Sequence, residues 1–182
     1  MLLVAAVGWF APGCASTVLK EGAGVALGAT GLYVPIKPLS ELKDARPLGD
    51  YKCFELGEIK DDVGGRVPAE VMERLGEQFV KQLGAKKLPN DLAGKTLLVR
   101  GVIIHYEDRD MLAFSLGPLE EIVARIELVD KAGGRVLGVA NCVGRTETRT
   151  TLGPARKAEG LAKAIVAWIA ANYPKKGPEE VE

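Results

Sequence analysis

The stretch that decides the fold is Glu121–Thr146, which reads EIVARIELVDKAGGRVLGVANCVGRT. Apolar and polar residues alternate along Glu121–Val129, a pattern that predicts a strand with one buried face. Asp130–Gly134 has the composition of a hairpin turn, and Arg135–Thr146 predicts the returning strand. The stretch therefore predicts an antiparallel β-hairpin.

The segments on either side of the hairpin predict two further strands and two helices. Tyr51–Ile59 and Lys95–Tyr106 have strand character, and the second is apolar enough to be buried on much of both faces. Apolar residues at helical spacing predict one helix after Pro68 and another after Gly153. The order β-α-β-β-β-α predicts an α+β domain over residues 51–174, with a mostly antiparallel or mixed four-stranded sheet and two helices packed on one face.

A short apolar leader precedes this domain. Residues 1–13 are too few to span a bilayer, but they have the length and composition of a signal peptide. The sequence Ala11-Pro12-Gly13-Cys14 resembles the lipobox of bacterial lipoproteins, in which the cysteine is diacylated and the chain is then cut in front of it. This resemblance implies that Cys14 carries a lipid anchor. Ala15 after it implies sorting to the outer membrane, on the side that faces the periplasm.

A second interpretation of the leader stays open. In it, residues 1–13 form a buried element of a cytosolic domain, and Cys14 has no special role. Residues 14–50 are rich in glycine and proline, which predicts a lipid-anchored cysteine followed by a flexible tether. Residues 175–182 predict a charged tail.

Charge and composition bear on the class of partner. The chain carries 24 basic and 24 acidic residues, so its formal net charge is +0. It has no long basic run, and aromatic residues make up only 5% of it, which leaves little for base stacking. We therefore expect no nucleic-acid partner.

Two cysteines fall inside the predicted domain. Cys53 and Cys142 both lie on predicted strands, and an oxidising periplasm would allow them to form a disulfide if those strands were neighbours. The alternative is a pair of separate buried thiols, because free cysteine behaves as a small core residue. Both interpretations remain open on the residues alone.

No group of residues predicts a catalytic, metal or cofactor site. His105 is the only histidine, and a side chain at a strand end with one hydrogen bond explains it better than a general base does. The acidic clusters Asp61–Asp62 and Glu107–Asp110 fall in predicted turns, where aspartate is common. In an extended strand, Arg145, Glu147 and Arg149 share one face, and we take these three as a candidate interaction surface.

The domain resembles an uncharacterised family of bacterial outer-membrane lipoproteins, known as a domain of unknown function. The resemblance covers roughly Tyr51–Tyr173. It rests on a helix followed by Leu97–Val102, on the strand-turn-strand Ala124–Leu137 and on a final alanine-rich helix. It implies a fold similar to the amino-terminal domain of TolB and the periplasmic domain of CsgG. No catalytic residue is carried over with it.

These observations predict a lipid-anchored envelope protein that is not an enzyme and that docks on other envelope proteins or on itself. The first alternative is a small envelope hydrolase or ligand-binding protein whose site is assembled from dispersed residues. The second is a cytosolic domain. A polar pocket that combines His105 with an acidic cluster would favour the first alternative. A flat surface with an exposed sheet edge would favour docking.

Overall fold

The computed structural model describes residues 29–39, 46–107, 120–146 and 153–174. These residues form an α+β domain with one mixed five-stranded sheet and two helices. The elements, in chain order, are β1 Ala29–Lys37, β2 Cys53–Asp61, α1 Ala69–Ala85, β3 Thr96–Tyr106, β4 Glu121–Asp130, β5 Val136–Thr146 and α2 Pro154–Ala171.

The strands lie in the order β1-β5-β4-β3-β2. The pairs β1–β5, β4–β5 and β3–β4 are antiparallel, whereas β2 and β3 are parallel and are connected through α1. Both helices cover one face of the sheet: α2 packs on β1 and β5, and α1 packs mainly on α2. The α+β class, the two helices and the predicted hairpin β4–β5 are therefore confirmed.

The sheet has five strands and not the predicted four, because β1 precedes the elements read from the sequence. This strand lies inside residues 14–50, for which we predicted a flexible tether. The prediction is wrong for residues 29–37, which form β1. Leu39 and Leu48 are also buried in the core. The strand was missed because it contains Gly31 and Pro35, which have low strand propensity. Proline is tolerated in β1 because β1 is an edge strand.

The core lies between the helices and the face of the sheet that they cover. The alternation predicted for β4 is confirmed, since Ile122, Ala124, Ile126 and Leu128 are all fully buried. From α1, Val71, Leu75, Phe79 and Leu83 complete this side of the core. Trp168 of α2 is the largest fully buried side chain, and its ring stacks on Tyr33 of β1 with 6.5 Å between the centroids. The edge strand is thus part of the same core.

Three glycines allow the backbone of α2 to lie directly on the sheet. Gly31 of β1 and Gly144 of β5 are register partners, and Gly160 of α2 lies over them. A Cβ atom on Gly31 would come within 2.3 Å of the Ala164 nitrogen. A Cβ on Gly160 would come within 2.7 Å of the Thr30 carbonyl oxygen, closer than real Cβ atoms approach. The absence of three side chains therefore sets the distance between helix and sheet.

The turn between β4 and β5 is held by Asp130. Its Oδ1 accepts hydrogen bonds from the backbone N–H groups of Ala132 and Gly133, at 3.1 and 3.3 Å. Its Oδ2 lies 2.9 Å from the Lys95 ammonium and accepts a 2.9 Å hydrogen bond from the Tyr51 hydroxyl. Lys95 and then Tyr51 lower the pKa of Asp130 to about 2. The carboxylate therefore stays ionised at neutral pH and joins the start of β3 to the turn.

The possible Cys53–Cys142 disulfide does not form, because both thiols are free and buried. Cys53 lies on β2 and Cys142 on β5, with β3 and β4 between them. Three strand spacings amount to about 14 Å, whereas a disulfide requires Cα atoms within about 7 Å. Burial also raises the pKa of the Cys142 thiol and so suppresses its reactivity.

Neither α1 nor α2 combines the length and the apolar composition that crossing a membrane requires.

The close contact of α2 with the sheet is tested by a pair of helical glycines. Gly160→Ala places a methyl group against the backbone of β1, and we expect it to lower the free energy of unfolding by about 1 to 3 kcal/mol. Gly76 of α1 is the matched control, because a Cβ atom there meets nothing within 4 Å. Gly76→Ala should raise stability by about 0.5 to 1 kcal/mol through helix propensity. Urea unfolding measures both, and equal effects of the two variants would contradict the proposed contact.

Candidate interaction surface

The face of the sheet turned away from the helices carries a broad, partly exposed apolar surface, which we call the open face. Its half-buried side chains come from all the antiparallel strands. Val34 and Ile36 of β1 are the most exposed, at 55% and 51%. The half-buried members are Leu32, Leu98, Val102, Ile104, Val123, Val139 and Val143.

Ion pairs cross this apolar surface between neighbouring strands. Arg100 of β3 lies 2.9 Å from Glu127 of β4, and these two residues are register partners. Arg145 of β5 lies 2.6 Å from Glu121 of β4, its own register partner. Each exposed pair contributes little to stability, roughly 0 to 1 kcal/mol. Each pair neutralises its own two charges, and Arg125 of β4 adds an exposed cation to the same face.

The two edges of the sheet differ in how they are protected. Charged residues on an edge strand discourage pairing with another chain. Both edge strands have a register shift, but β2 also carries Glu55, Glu58, Lys60 and Asp61 along its nine residues. β1 is also nine residues long, but Lys37 is its one charged residue. β1 pairs with β5 on one side, and in the described part of the chain its outer side has no partner strand. β1 is therefore the edge that is open to pairing.

Of the three predicted interaction residues, the structure describes only Arg145. Arg145 lies on the open face, beside β1, where its register partner is Thr30. Glu147 and Arg149 lie outside the described residues, and so does Cys14. The surface that we expected from Arg145 thus lies within a larger one, to which β1 contributes the exposed apolar side chains.

His105 lines a depression of about 450 Å³ at one end of the sheet. Its other lining residues are Arg66, Tyr106 and Glu107, so it holds the first residue of a predicted acidic cluster. The His105 side chain is exposed, and among the residues that the structure describes, no serine, threonine or cysteine lines the depression. Within the described ranges, no three His, Cys, Asp or Glu side chains come close enough together to hold a metal ion.

A buried ion pair lies at the same end of the sheet. Lys157 of α2 is fully buried, and its ammonium lies 3.2 Å from the Glu120 carboxylate and 4.1 Å from the centre of the Tyr106 ring. The ammonium also donates a hydrogen bond to the Glu107 carbonyl oxygen. Glu120 in turn accepts a 3.1 Å hydrogen bond from the Gly153 N–H in front of α2. The pair thus joins the end of β3, the start of β4 and the amino end of α2.

Sequence reasoning missed this buried pair, although α2 contains a signal for it. Lys157 precedes Leu161, Ile165 and Trp168 at helical spacing, so it occupies the apolar stripe of the helix. A lysine on such a stripe is buried only when a carboxylate or carbonyl group meets it. Glu120, 37 positions earlier in the chain, is brought to it by the fold alone.

Comparison with known proteins indicates a shared fold. No protein-family model matches the chain, and no curated protein matches it. Among solved structures, the PelC dodecamer from Paraburkholderia phytofirmans aligns with 81% of this chain and 99% of its own, at 12% identity and a TM-score of 0.50. A minor lipoprotein from Acinetobacter baumannii aligns with 67% of this chain and 94% of its own, at 19% identity and a TM-score of 0.44. The chain therefore has the fold of the PelC subunit. The lipoprotein family suggested by the sequence stays a prediction.

The buried pair is tested by removing first one partner and then both. Lys157→Met leaves the Glu120 carboxylate buried without its ammonium, and we expect it to lower the free energy of unfolding by about 3 to 5 kcal/mol. Lys157→Met/Glu120→Gln should recover a large part of this loss, since the amide oxygen can still accept from Gly153. Lys131→Met is the control, because Lys131 pairs with Glu55 on the surface and should cost less than about 1 kcal/mol. A double variant no more stable than Lys157→Met would contradict this account.

Proposed function

We propose that this chain is a lipid-anchored protein of the cell envelope that acts without catalysis, by docking on copies of itself. Cys14 would hold it in the outer membrane, facing the periplasm. The docking surface is the β1 edge with the adjoining part of the open face. The observation that carries the proposal is the contrast in charge between the edges: β2 carries four charged residues, while β1 carries one and exposes Val34 and Ile36.

Pairing of β1 with β1 in a second copy is the simplest arrangement that uses this edge. Two antiparallel β1 strands related by a twofold axis would continue the sheet from one copy into the next. With the twofold axis at Pro35, Val34 of one copy would oppose Ile36 of the other on the open face, and these side chains would bury one another. Pro35 lacks an N–H donor, so the backbone hydrogen bonds between the copies would come from residues on either side of it. A dimer is therefore the smallest assembly that we expect.

Two further observations support self-association. Arg145, the charged residue beside β1, is paired with Glu121 within one copy, so it adds no unpaired charge where a second copy would dock. PelC, whose subunit has the same fold, assembles as a dodecamer. Extending assembly from that protein to this chain is part of the proposal.

The alternative function, that of an envelope hydrolase or ligand-binding protein, would use the depression at His105. It is the site that contains the sole histidine together with Glu107. The depression is shallow and its histidine is exposed, whereas ligand sites usually enclose most of their ligand in a concave pocket. This geometry favours docking.

Self-association is tested by placing charge on β1. In analytical ultracentrifugation of protein carrying Cys14→Ala, we expect a concentration-dependent dimer or larger assembly. Val34→Lys/Ile36→Lys should raise its dissociation constant at least about tenfold, because like charges would face each other across the axis. Val80→Lys/Leu92→Lys is the matched control, since these side chains are 61% and 85% exposed on α1 and the following loop. A parent protein that stays monomeric at all concentrations, or an equal effect of both double variants, would refute docking through β1.

The anchor is tested separately by metabolic labelling with a fatty-acid analogue. We expect the natural chain to carry the label and to sediment with membranes, and Cys14→Ala to lose the label. Cys53→Ala should keep the label, because Cys53 is a buried thiol of β2. An unlabelled, soluble natural chain would exclude the lipid anchor but would leave docking through β1 untouched.

A further inference from the structure

A groove of about 820 Å³ lies at the end of the domain where both helices finish. Three of its lining residues are lysines: Lys52 precedes β2, and Lys86 and Lys87 follow α1. Tyr173, Leu88 and Pro89 supply an apolar wall. In the described part of the chain, no aspartate or glutamate lines it. We call this feature the lysine groove.

Most of the other described lysines have a carboxylate partner, whereas the lysines of this groove do not. Five others each lie within 4.0 Å of a carboxylate: Lys60, Lys95, Lys131, Lys157 and Lys163. Over the described ranges, neither Lys52 nor Lys86 nor Lys87 has such a partner. The Lys52 ammonium donates a 3.0 Å hydrogen bond to the Gly49 carbonyl oxygen and lies 3.5 Å from the Tyr173 hydroxyl. Three like charges thus face one groove without compensation.

Capping of the helix ends does not explain these lysines. The last carbonyl groups of a helix attract cations, and lysines often gather there for that reason. At the end of α2, however, the Asn172 carbonyl accepts from the Leu48 N–H, and the Tyr173 carbonyl accepts from Arg46. At the end of α1, the free carbonyls accept from the backbone N–H groups of residues 86–88. The three ammonium groups are therefore not needed by either helix.

The backbone conformation of Lys87 also indicates that its side chain has a role in the groove. Its φ of 53° makes it the one described residue other than glycine in the left-handed region. Glycine or asparagine usually occupies this position after a helix, because a side chain there costs roughly 1 kcal/mol. A glycine would end α1 at lower cost, but it would remove a cation from the groove.

The apolar wall is rigid. The Tyr173 ring packs edge-on against Phe54, with 5.8 Å between the centroids and 74° between the planes. Lys52 also lies over the Tyr173 ring, 6.0 Å from its centre. A ring or acyl body that lies against Tyr173 would therefore bring an attached anionic group close to the lysines.

We propose that the lysine groove binds an anionic group, phosphate or carboxylate, that is carried on an apolar body. Lys52, Lys86 and Lys87 hold the anion, and Tyr173, Leu88 and Pro89 hold the body. The ligand is either a soluble molecule or a lipid headgroup with the first part of its chain. The groove lies at the carboxyl end of α2 and no residue of β1 lines it, so its ligand can be tested separately from self-association.

The test uses phenyl phosphate as the soluble probe, with NMR shifts of residues around Tyr173 as the readout on full-length protein carrying Cys14→Ala. We expect saturable binding with a dissociation constant of about 1 mM, weakened by salt, and at least tenfold weaker binding of inorganic phosphate. Lys86→Gln/Lys87→Gln should weaken binding of phenyl phosphate at least tenfold. Lys60→Gln/Lys81→Gln removes the same charge from exposed positions outside the groove and should leave binding unchanged.

A second arm distinguishes the source of the ligand. Vesicles of phosphatidylcholine with phosphatidylglycerol are compared with vesicles of phosphatidylcholine alone, in a flotation assay with the same variants. Binding to the anionic vesicles that Lys86→Gln/Lys87→Gln abolishes assigns the anion to a lipid. Binding of phenyl phosphate without vesicle binding assigns it to a soluble molecule. Absence of saturable binding to both, or equal losses in the two double variants, overturns the proposal.

Discussion

The structure depends on the direct contact between the backbone of α2 and the backbones of β1 and β5. Gly31, Gly144 and Gly160 meet at one point, and none of them leaves room for a side chain. Strand β1 is held in the sheet from two sides, by backbone pairing with β5 and by this contact with α2. Without it, Tyr33 would not reach Trp168, and the edge strand would lose its share of the core. The candidate docking edge exists because the helix comes so close.

The position of α2 also separates the two polar regions of the domain. At its amino end, Lys157 is buried and neutralised by Glu120. At its carboxyl end, Lys52, Lys86 and Lys87 line a groove to which no described carboxylate contributes. Lysine side chains thus have two different roles in this domain, and the roles differ because one lysine is buried and paired while the others are not. The first lysine is satisfied by its own fold, whereas the others present charge to a ligand from outside.

The sequence predicted the parts of the fold that local pattern determines. The hairpin β4–β5 could be recognised because alternation and a glycine-containing turn are both local signals. Strand β1 could not be recognised, because it contains a proline and a glycine. The proline is compatible with an edge strand, and the glycine is needed where a helix lies close to the strand; neither condition can be read from the local sequence. The lysine groove was beyond prediction for a similar reason. Its residues come from three separate segments, and the fold alone places Lys52 beside Tyr173. Arg145 was placed correctly on a strand face, but the exposed apolar residues next to it belong to the strand that was missed.

The three glycines at the helix–sheet contact form a single constraint, since enlarging any one of them separates the same two backbones. A small residue at one position cannot compensate for a larger residue at another. Proteins that share this packing should therefore keep small residues at all three positions while the rest of the chain diverges. At 12% identity, ordinary comparison of sequences has little left to align. A spacing of glycines drawn from the edge strand, the adjoining strand and the last helix would be a more durable mark of common descent than any charged or catalytic residue.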